Sequence, residues 1–144
     1  RVVMRPINSF ALVLLVFGLA GCGGSEAKLA PVKGTLTADG AAVPSGNVTF
    51  YPDAAKGNAT KHQPAGLLAD GKFEVFLPGG QKGAPPGWYK VVVYAVDDPQ
   101  PGKPNRYFTH KKYADPGTTP LAVEVVENPE PGRYDFKLDG APPK

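Results

Sequence analysis

Side chains that could carry chemistry are few in this sequence of 144 residues. It has two histidines, His62 and His110, which lie far apart, and a single cysteine, Cys22, which can form no disulfide within the chain. A zinc site normally needs three or four Cys, His or carboxylate ligands, and the two histidines form no close-spaced pair. No Asp-x-Asp-x-Asp loop that would bind calcium occurs. The sequence therefore predicts no metal and no other cofactor.

Residues suited to nucleophilic catalysis are equally sparse. No Gly-x-Ser-x-Gly elbow occurs, and after the first segment only Ser25 and Ser45 remain as serines. Carboxylates that strands bring together from distant positions leave one route to acid–base chemistry open. The sequence predicts a protein that is not an enzyme, with a hydrolase of small molecules as the least favoured alternative.

The composition points to many short strands in one domain. The chain has 17 prolines and 18 glycines, yet 42% of its residues are hydrophobic, which is enough for a core. The formal net charge is +3, and removing the basic residues Arg1 and Arg5 leaves +1. A nearly neutral domain gives no reason to expect nucleic-acid binding.

The amino-terminal segment has the pattern of an export signal. Arg1 and Arg5 precede the uncharged run FALVLLVF at 10–17, and small residues follow. The apolar run is shorter than the roughly 20 residues that a bilayer crossing needs. We therefore expect residues 1–21 to be a cleavable signal helix and not a permanent membrane span.

The four residues LAGC at 19–22 resemble the lipobox of bacterial lipoproteins at every position. The resemblance implies a diacylglycerol on the Cys22 sulfur, cleavage just before Cys22, and a new, usually acylated amino terminus. Several acyl chains anchor a protein stably in a membrane, and residues 22–30 would form the flexible tether. In this family an Asp after the cysteine retains some lipoproteins at the inner membrane. Gly23 stands there instead, which favours the outer membrane, on its periplasmic or surface face.

Seven short segments after the tether are predicted as strands, and most of them alternate apolar and polar residues, the period of a half-buried strand. Asp-Gly at 39–40 marks a turn, and Asp-Gly at 70–71 is a strong hairpin signal. The fold class predicted is an all-β, seven-stranded antiparallel β-sandwich over residues 31–139, followed by a frayed tail at 140–144. The predicted strands are Val32–Thr37, Asn47–Tyr51, Pro64–Ala69, Lys72–Leu77, Trp88–Val96, Leu121–Val126 and Arg133–Leu138.

The order of several motifs resembles the transthyretin-like (prealbumin-like, or carboxypeptidase regulatory-like) domain of small bacterial lipoproteins. The motifs are VKGTLT at 32–37, NVTFYP at 47–52, DGKF at 70–73 and PGWYKVVV at 86–93. The resemblance implies a sandwich and, as a rule, no catalysis. One branch of the wider group hydrolyses 5-hydroxyisourate with a carboxy-terminal Tyr-Arg-Gly-Ser. This chain has FKLDG at 136–140 instead, so no catalytic residue carries over.

Two groups of residues are candidates for binding a partner. The outward positions of the predicted strands, Tyr51, Phe76, Trp88, Val92 and Tyr94, would form an exposed apolar patch if they share one sheet face. The alternative is that one of these strands is covered on both faces, or that its register slips by one residue.

The long connection 97–120 holds the second group of candidates, because a loop of this length is either functional or disordered. Basic residues alternate there with aromatic ones, and this combination could bind an anionic glycan or lipid head groups. The alternative is a solvated loop whose aromatic rings pack onto the edge of the fold. The residues singled out are Arg106, Tyr107 and Tyr113.

Together these observations predict a lipid-anchored β-sandwich of the bacterial cell envelope that acts as a structural or protein-interaction module. An envelope carbohydrate-binding module, with Trp88, Tyr107 and Tyr113 stacking on sugar rings, is the alternative. The expected partners are the membrane, through the acyl chains on Cys22, and an envelope protein or polysaccharide.

Overall fold

The computed structural model describes residues 28–98 and 100–143. The predicted signal helix, Cys22 and the start of the tether lie outside the described residues, as do Pro99 and Lys144. Eight strands form: β1 (Lys33–Ala38), β2 (Ala41–Ala42), β3 (Ser45–Pro52), β4 (Ala65–Ala69), β5 (Lys72–Glu74), β6 (Gly87–Tyr94), β7 (Ala122–Val125) and β8 (Phe136–Leu138). Short 3₁₀ helices span Ala54–Lys56 and Lys111–Ala114.

The mostly-β, antiparallel class that the sequence predicts is confirmed. Each of the seven predicted strands overlaps one in the structure. The sequence does not predict β2, because this strand is two residues long and so too short to show any alternation. Its place is set by the Asp39-Gly40 turn, which pairs β2 back onto β1 in a hairpin.

Both Asp-Gly pairs make two-residue hairpin turns, where the sequence predicts a hairpin at 70–71 and a turn at 39–40. Asp39 and Gly40 have φ angles of 50° and 82°, and Asp70 and Gly71 have φ angles of 49° and 74°. Positive φ at both central residues matches the right-handed twist of the flanking strands. Asp tolerates this region better than most residues and Gly adopts it without strain, which explains why this dipeptide occurs at both turns.

The strands pair in one curled sheet, in the order β2-β1-β5-β4-β3-β6-β7. The curl arises at β1, whose first half pairs with β5 while its second half pairs with β2 and β8. The β1–β8 pair is parallel, which differs from the wholly antiparallel sheet expected. Gly34 permits the close approach needed here, because a Cβ at this position would lie 1.9 Å from the Tyr134 carbonyl oxygen. The stacking of two separate sheets stays a prediction.

Residues 106–110 connect the end of β6 to the end of β8. Val96 forms a bridge with Tyr107, and Thr109 forms a bridge with Gly140. The Phe108 amide donates to the Ala95 carbonyl, and the His110 amide donates to the Asp139 carbonyl. Hydrogen bonds therefore run from β8 back to β6, across the part of the chain for which the sequence predicts no regular structure.

On β3 and β6 the inward faces predicted from the alternation are confirmed. On β6, Tyr89, Val91, Val93 and the following Ala95 are all fully buried. Phe50 of β3 packs between Phe73 and Tyr89, at ring-centroid distances of 6.5 and 5.7 Å. The Tyr89 hydroxyl donates to the Pro85 carbonyl at 2.7 Å, which satisfies its polar group inside the core.

Candidate functional site

The outward residues of β3, β4 and β6 share one face of the sheet. Directly opposed residues of antiparallel strands project to the same side. Asn47 of β3 opposes both Leu67 of β4 and Tyr94 of β6, and Thr49 opposes both Ala65 and Val92. The alternation that buries one set of residues therefore places the other set together on the opposite face.

The five residues of the predicted apolar patch lie on this outer face, but they are not equally accessible. Tyr94 is 39% exposed, whereas Val92 is only 6% exposed. Tyr51, Phe76 and Trp88 are half-buried. The patch therefore does not present five open side chains, and Val92 is not available to a partner.

Trp88 is covered in part by a lysine. The Lys56 ammonium lies 4.0 Å from the centroid of the Trp88 ring, in cation–π geometry. The Trp88 carbonyl accepts from the Asp53 amide and from the Asn58 side-chain amide, both at 2.9 Å. A sugar ring could stack on this face of Trp88 only after Lys56 moves away.

Leu67 is the most exposed large apolar residue of the described part, at 77%, and the sequence analysis did not single it out. Leu67 and Leu68 are adjacent and alike, so the pattern could not show which of them points outward. Small side chains surround Leu67, including Ala65 and Ala69 of the same strand. Shallow hollows of about 520 Å³ lie on either side of it. We call Leu67, Ala65, Ala69 and Phe76 the Leu67 patch.

A surface cleft of about 740 Å³ lies beside Tyr107. One wall comes from residues 104–107 with His110 and Lys111, and the other from residues 141–143, which the sequence predicts as part of a frayed tail. Arg106 and Tyr107 are among the residues singled out from the sequence, whereas His110 enters there only as a histidine without a nearby metal-ligand partner. Since the two walls are at least 30 positions apart in the chain, no local pattern joins them. We call this site the Tyr107 cleft.

The Tyr107 cleft adjoins the outer face through a tyrosine pair. The rings of Tyr94 and Tyr107 meet edge to face at a centroid distance of 5.8 Å and an angle of 85°. The Asn105 amide donates to the Tyr94 hydroxyl at 3.3 Å. Lys111 places its ammonium 5.2 Å from the Tyr107 ring centroid. These contacts fix the orientation of the Tyr107 ring at the edge of the sheet.

The burial of Tyr113 argues against the prediction that its ring stacks on a glycan, because the side chain is only 4% exposed. Its hydroxyl donates to the Asp139 carboxylate at 3.2 Å and accepts from the Asp139 amide at 3.0 Å. The Lys112 ammonium pairs with the same carboxylate. We call these three residues the Asp139 latch, since they tie the second 3₁₀ helix to the end of β8.

The latch shifts the pKa of both of its charged members. The hydrogen bond from Lys112, and then the one from Tyr113, hold the pKa of Asp139 below its ordinary value. The same hydrogen bond to Asp139 raises the pKa of Lys112. Both shifts favour the charged pair, so the latch is closed at neutral pH.

The remaining sequence predictions concern His62, a metal site, a membrane-spanning helix and Cys22. His62 is exposed in a loop. Among the described residues, no group of three His, Cys, Asp or Glu side chains could hold a metal ion. Within the same ranges, no helix is both long and apolar enough to cross a membrane. Cys22 lies outside them.

Comparison with models of protein families, with curated proteins and with solved structures finds no significant match to this chain.

Proposed function

We propose that this chain is a lipid-anchored, non-catalytic interaction module of the bacterial cell envelope, with Cys22 acylated and a transthyretin-like β-sandwich as its folded part. The lipobox at 19–22 and the order of the strand motifs support this proposal. Gly23 after the cysteine favours the outer membrane. The sandwich is supported by the curl at β1 and by the packing of Phe73 on Phe136, whose rings stack at 6.1 Å.

The exposure of Leu67 is the observation that carries the interaction role. Strands pair with β4 on both sides, so Leu67 lies in the interior of the sheet and not at its edge. No other part of the described fold covers its side chain, which is 77% exposed. Covering it against a partner would stabilise the complex by about 1.5–3 kcal/mol. The polar neighbours Asn47 and Thr49 of β3 could form hydrogen bonds around this contact, as is usual at protein–protein interfaces.

A photo-crosslinking amino acid at position 67 tests this role in the native envelope. The matched control places the same group at Gln81, which is exposed in the loop after β5. We expect a protein partner in near-stoichiometric amount from position 67 and none from position 81. Equal labelling at both positions, or none at either, would contradict a contact through the Leu67 patch.

Anchoring is tested separately at Cys22. Cys22→Ala is expected to leave the precursor uncleaved and to abolish incorporation of a labelled fatty acid, while Ser25→Ala is processed normally. A Cys22→Ala chain that is still cleaved and labelled would refute lipidation at this residue.

An envelope carbohydrate-binding module is the second candidate function, favoured by the Tyr94–Tyr107 pair at the mouth of a cleft. Tyrosines at such sites stack on the apolar face of a sugar ring while their hydroxyl groups stay hydrated. Retention on an envelope polysaccharide that is lost in Tyr107→Ala would support it. Unchanged retention in that variant would exclude the cleft as the binding site.

A further inference from the structure

The Tyr107 cleft has the size of a site for a small ligand. Its volume of about 740 Å³ falls within the range of roughly 300–1,000 Å³ that is usual for such sites. Prolines stand on both walls, Pro104 on one and Pro142 and Pro143 on the other. Since proline has a fixed φ angle, these walls lose little conformational entropy when a ligand binds.

Within the described residues, the charged side chains that line the cleft are all of one sign. Arg106, His110 and Lys111 are basic, and the described residues that line the cleft include no acid. The nearest acid partner is Asp97, whose carboxylate lies 3.6 Å from one nitrogen of Arg106, in an exposed pair that water screens. The flat guanidinium keeps further N–H donors for a second carboxylate.

Lys111 and His110 add donors at the same place. Within the described residues Lys111 makes no ion pair, and its ammonium lies over the Tyr107 ring. The Nδ1 atom of His110 accepts from the Lys112 amide at 3.1 Å. In the neutral imidazole the proton must then be on Nε2, so His110 presents an N–H donor there.

An aromatic ring beside these donors narrows the class of ligand. Tyr107 is half-buried and meets Tyr94 edge to face, so the ring is oriented before any ligand arrives. The Lys111 ammonium lies over this ring, so a sugar stacks on that face only when Lys111 turns aside towards the carboxylate. A sugar ring packs its C–H face on such an aromatic surface, while a carboxylate on the same ring reaches basic donors. A simple inorganic anion would use the donors but not the tyrosine.

We propose that the Tyr107 cleft binds an acidic sugar, a pyranose that bears a carboxylate. Its ring packs on Tyr107, and Arg106, Lys111 and His110 hold the carboxylate. This inference rests on the second candidate function, the carbohydrate-binding module, and adds the charge of the ligand to it. It does not depend on the Leu67 patch.

Calorimetric titration of the full chain, purified in a non-ionic detergent, tests the proposal with a short oligogalacturonate as the probe. Its methyl ester is the matched control ligand, since it has the same rings without the charge. We expect the acid to bind at least about tenfold more tightly than the ester at low salt, with the difference shrinking as salt is added.

Variants assign the effect to the cleft. Arg106→Gln and Lys111→Gln are each expected to weaken binding of the acid by about fivefold without changing binding of the ester. Lys61→Gln, which removes one exposed charge from a distant loop, should change neither. Tyr107→Ala should weaken the acid and the ester alike, because it removes the stacking surface.

The results distinguish failure of the acidic-sugar inference from failure of the carbohydrate-binding function on which it rests. Equal affinity for acid and ester would overturn the acidic-sugar inference and leave a carbohydrate module. Binding of neither would overturn both. Tighter binding of glycerol 3-phosphate than of the acid, lost in Arg106→Gln, would overturn the sugar in favour of a phosphate-bearing lipid headgroup.

Discussion

The two halves of the connection between β6 and β7 contain the same kinds of side chain but differ in what these side chains contact. In residues 100–110, Arg106 is exposed and Tyr107 is half-buried at the cleft. In residues 111–120, Tyr113 is 4% exposed and Lys112 pairs with Asp139. A basic residue next to an aromatic one thus lines an open cleft in one half and makes a structural contact in the other.

Asp139 accounts for this difference. It follows β8 directly and lies where the 3₁₀ helix Lys111–Ala114 reaches the end of that strand, so it receives both the Lys112 ammonium and the Tyr113 hydroxyl. No acid of the described chain stands in the same relation to Tyr107. A tyrosine whose hydroxyl has a protein partner can be buried, whereas one without such a partner keeps its hydroxyl in water.

Truncation of the two tyrosines should show the largest contrast. Tyr113→Ala removes a buried ring and two hydrogen bonds, and we expect the free energy of unfolding to fall by about 3 kcal/mol. Tyr107→Ala removes only a half-buried ring and its edge contact with Tyr94, for which we expect a loss of about 1 kcal/mol. Urea unfolding followed by far-ultraviolet circular dichroism measures both.

The comparison fails if the two variants are equally destabilised, since Tyr107 would then be a core residue and not a binding surface. Phe108→Ala is the reference for this measurement. Phe108 lies next to Tyr107 and packs partly against the core, so its loss should fall between those of the two tyrosines.

Alternation along the chain is what made the sheet predictable. Tyr89, Val91 and Val93 lie on β6 at every second position, and each side of a strand sees one environment throughout its length. The Asp-Gly turns are local in the same way, because the backbone angles they need belong to two adjacent residues. Both kinds of signal are therefore complete within a short stretch of sequence.

Contacts that are distant in the chain were not predictable by this reasoning. Residues 106–110 follow a proline-rich stretch and show no alternation, and their bridge partners at positions 96 and 140 lie on opposite sides of them in the chain. Arg106 and Tyr107 were found from residue type alone. The roles of His110 and of residues 141–143 depend on that long-range pairing, so only the structure could reveal them.

Removing the hydroxyls of Thr109 and Thr119 should change stability by a smaller amount, with a gain at one position and a loss at the other. The Thr109 hydroxyl is buried and has no hydrogen-bond partner among the described residues, while Thr119 donates to the Val91 carbonyl at 2.7 Å. Valine has nearly the shape of threonine without its hydroxyl. We expect Thr109→Val to stabilise the fold by about 1 kcal/mol and Thr119→Val to destabilise it by about the same amount.

Thermal unfolding of the two valine variants, scanned under identical conditions, gives the sign directly. Thr60→Val serves as the control, because its hydroxyl lies in a surface loop and makes only a long 3.4 Å contact to the His62 amide. A loss of stability in Thr109→Val would mean that the buried hydroxyl has a hydrogen-bond partner. The buried threonine of residues 100–110 would then be hydrogen-bonded in the same way as Thr119 of residues 111–120.

The smallest change in stability is expected from replacing the adjacent residues Lys111 and Lys112. For Lys112 this change should depend on pH. The pKa of Asp139 lies below its ordinary value of 3.8, so the latch stabilises the fold above that pH and weakens as the pH falls through the lowered pKa. The pKa of Lys112 is raised above its ordinary value of 10.5, so the same stabilisation is present below that pH and is lost as the pH rises through the raised pKa. Lys112→Gln should therefore be less stable than the wild type across neutral pH and approach it at both extremes.

Lys111→Gln is the matched variant, one position away and without an ion pair among the described residues. Its stability relative to the wild type should stay flat with pH, since no carboxylate of the described residues pairs with it. Urea midpoints at about pH 3 and pH 7 measure the difference. If Lys111→Gln lost stability at pH 7 and regained it in acid as Lys112→Gln should, Lys111 would have a carboxylate partner, and the Tyr107 cleft would no longer be a surface of one charge. If neither variant responded to pH, the contact between Lys112 and Asp139 would add nothing to the fold, and the hydrogen bonds of Tyr113 would tie the second 3₁₀ helix to Asp139 without it.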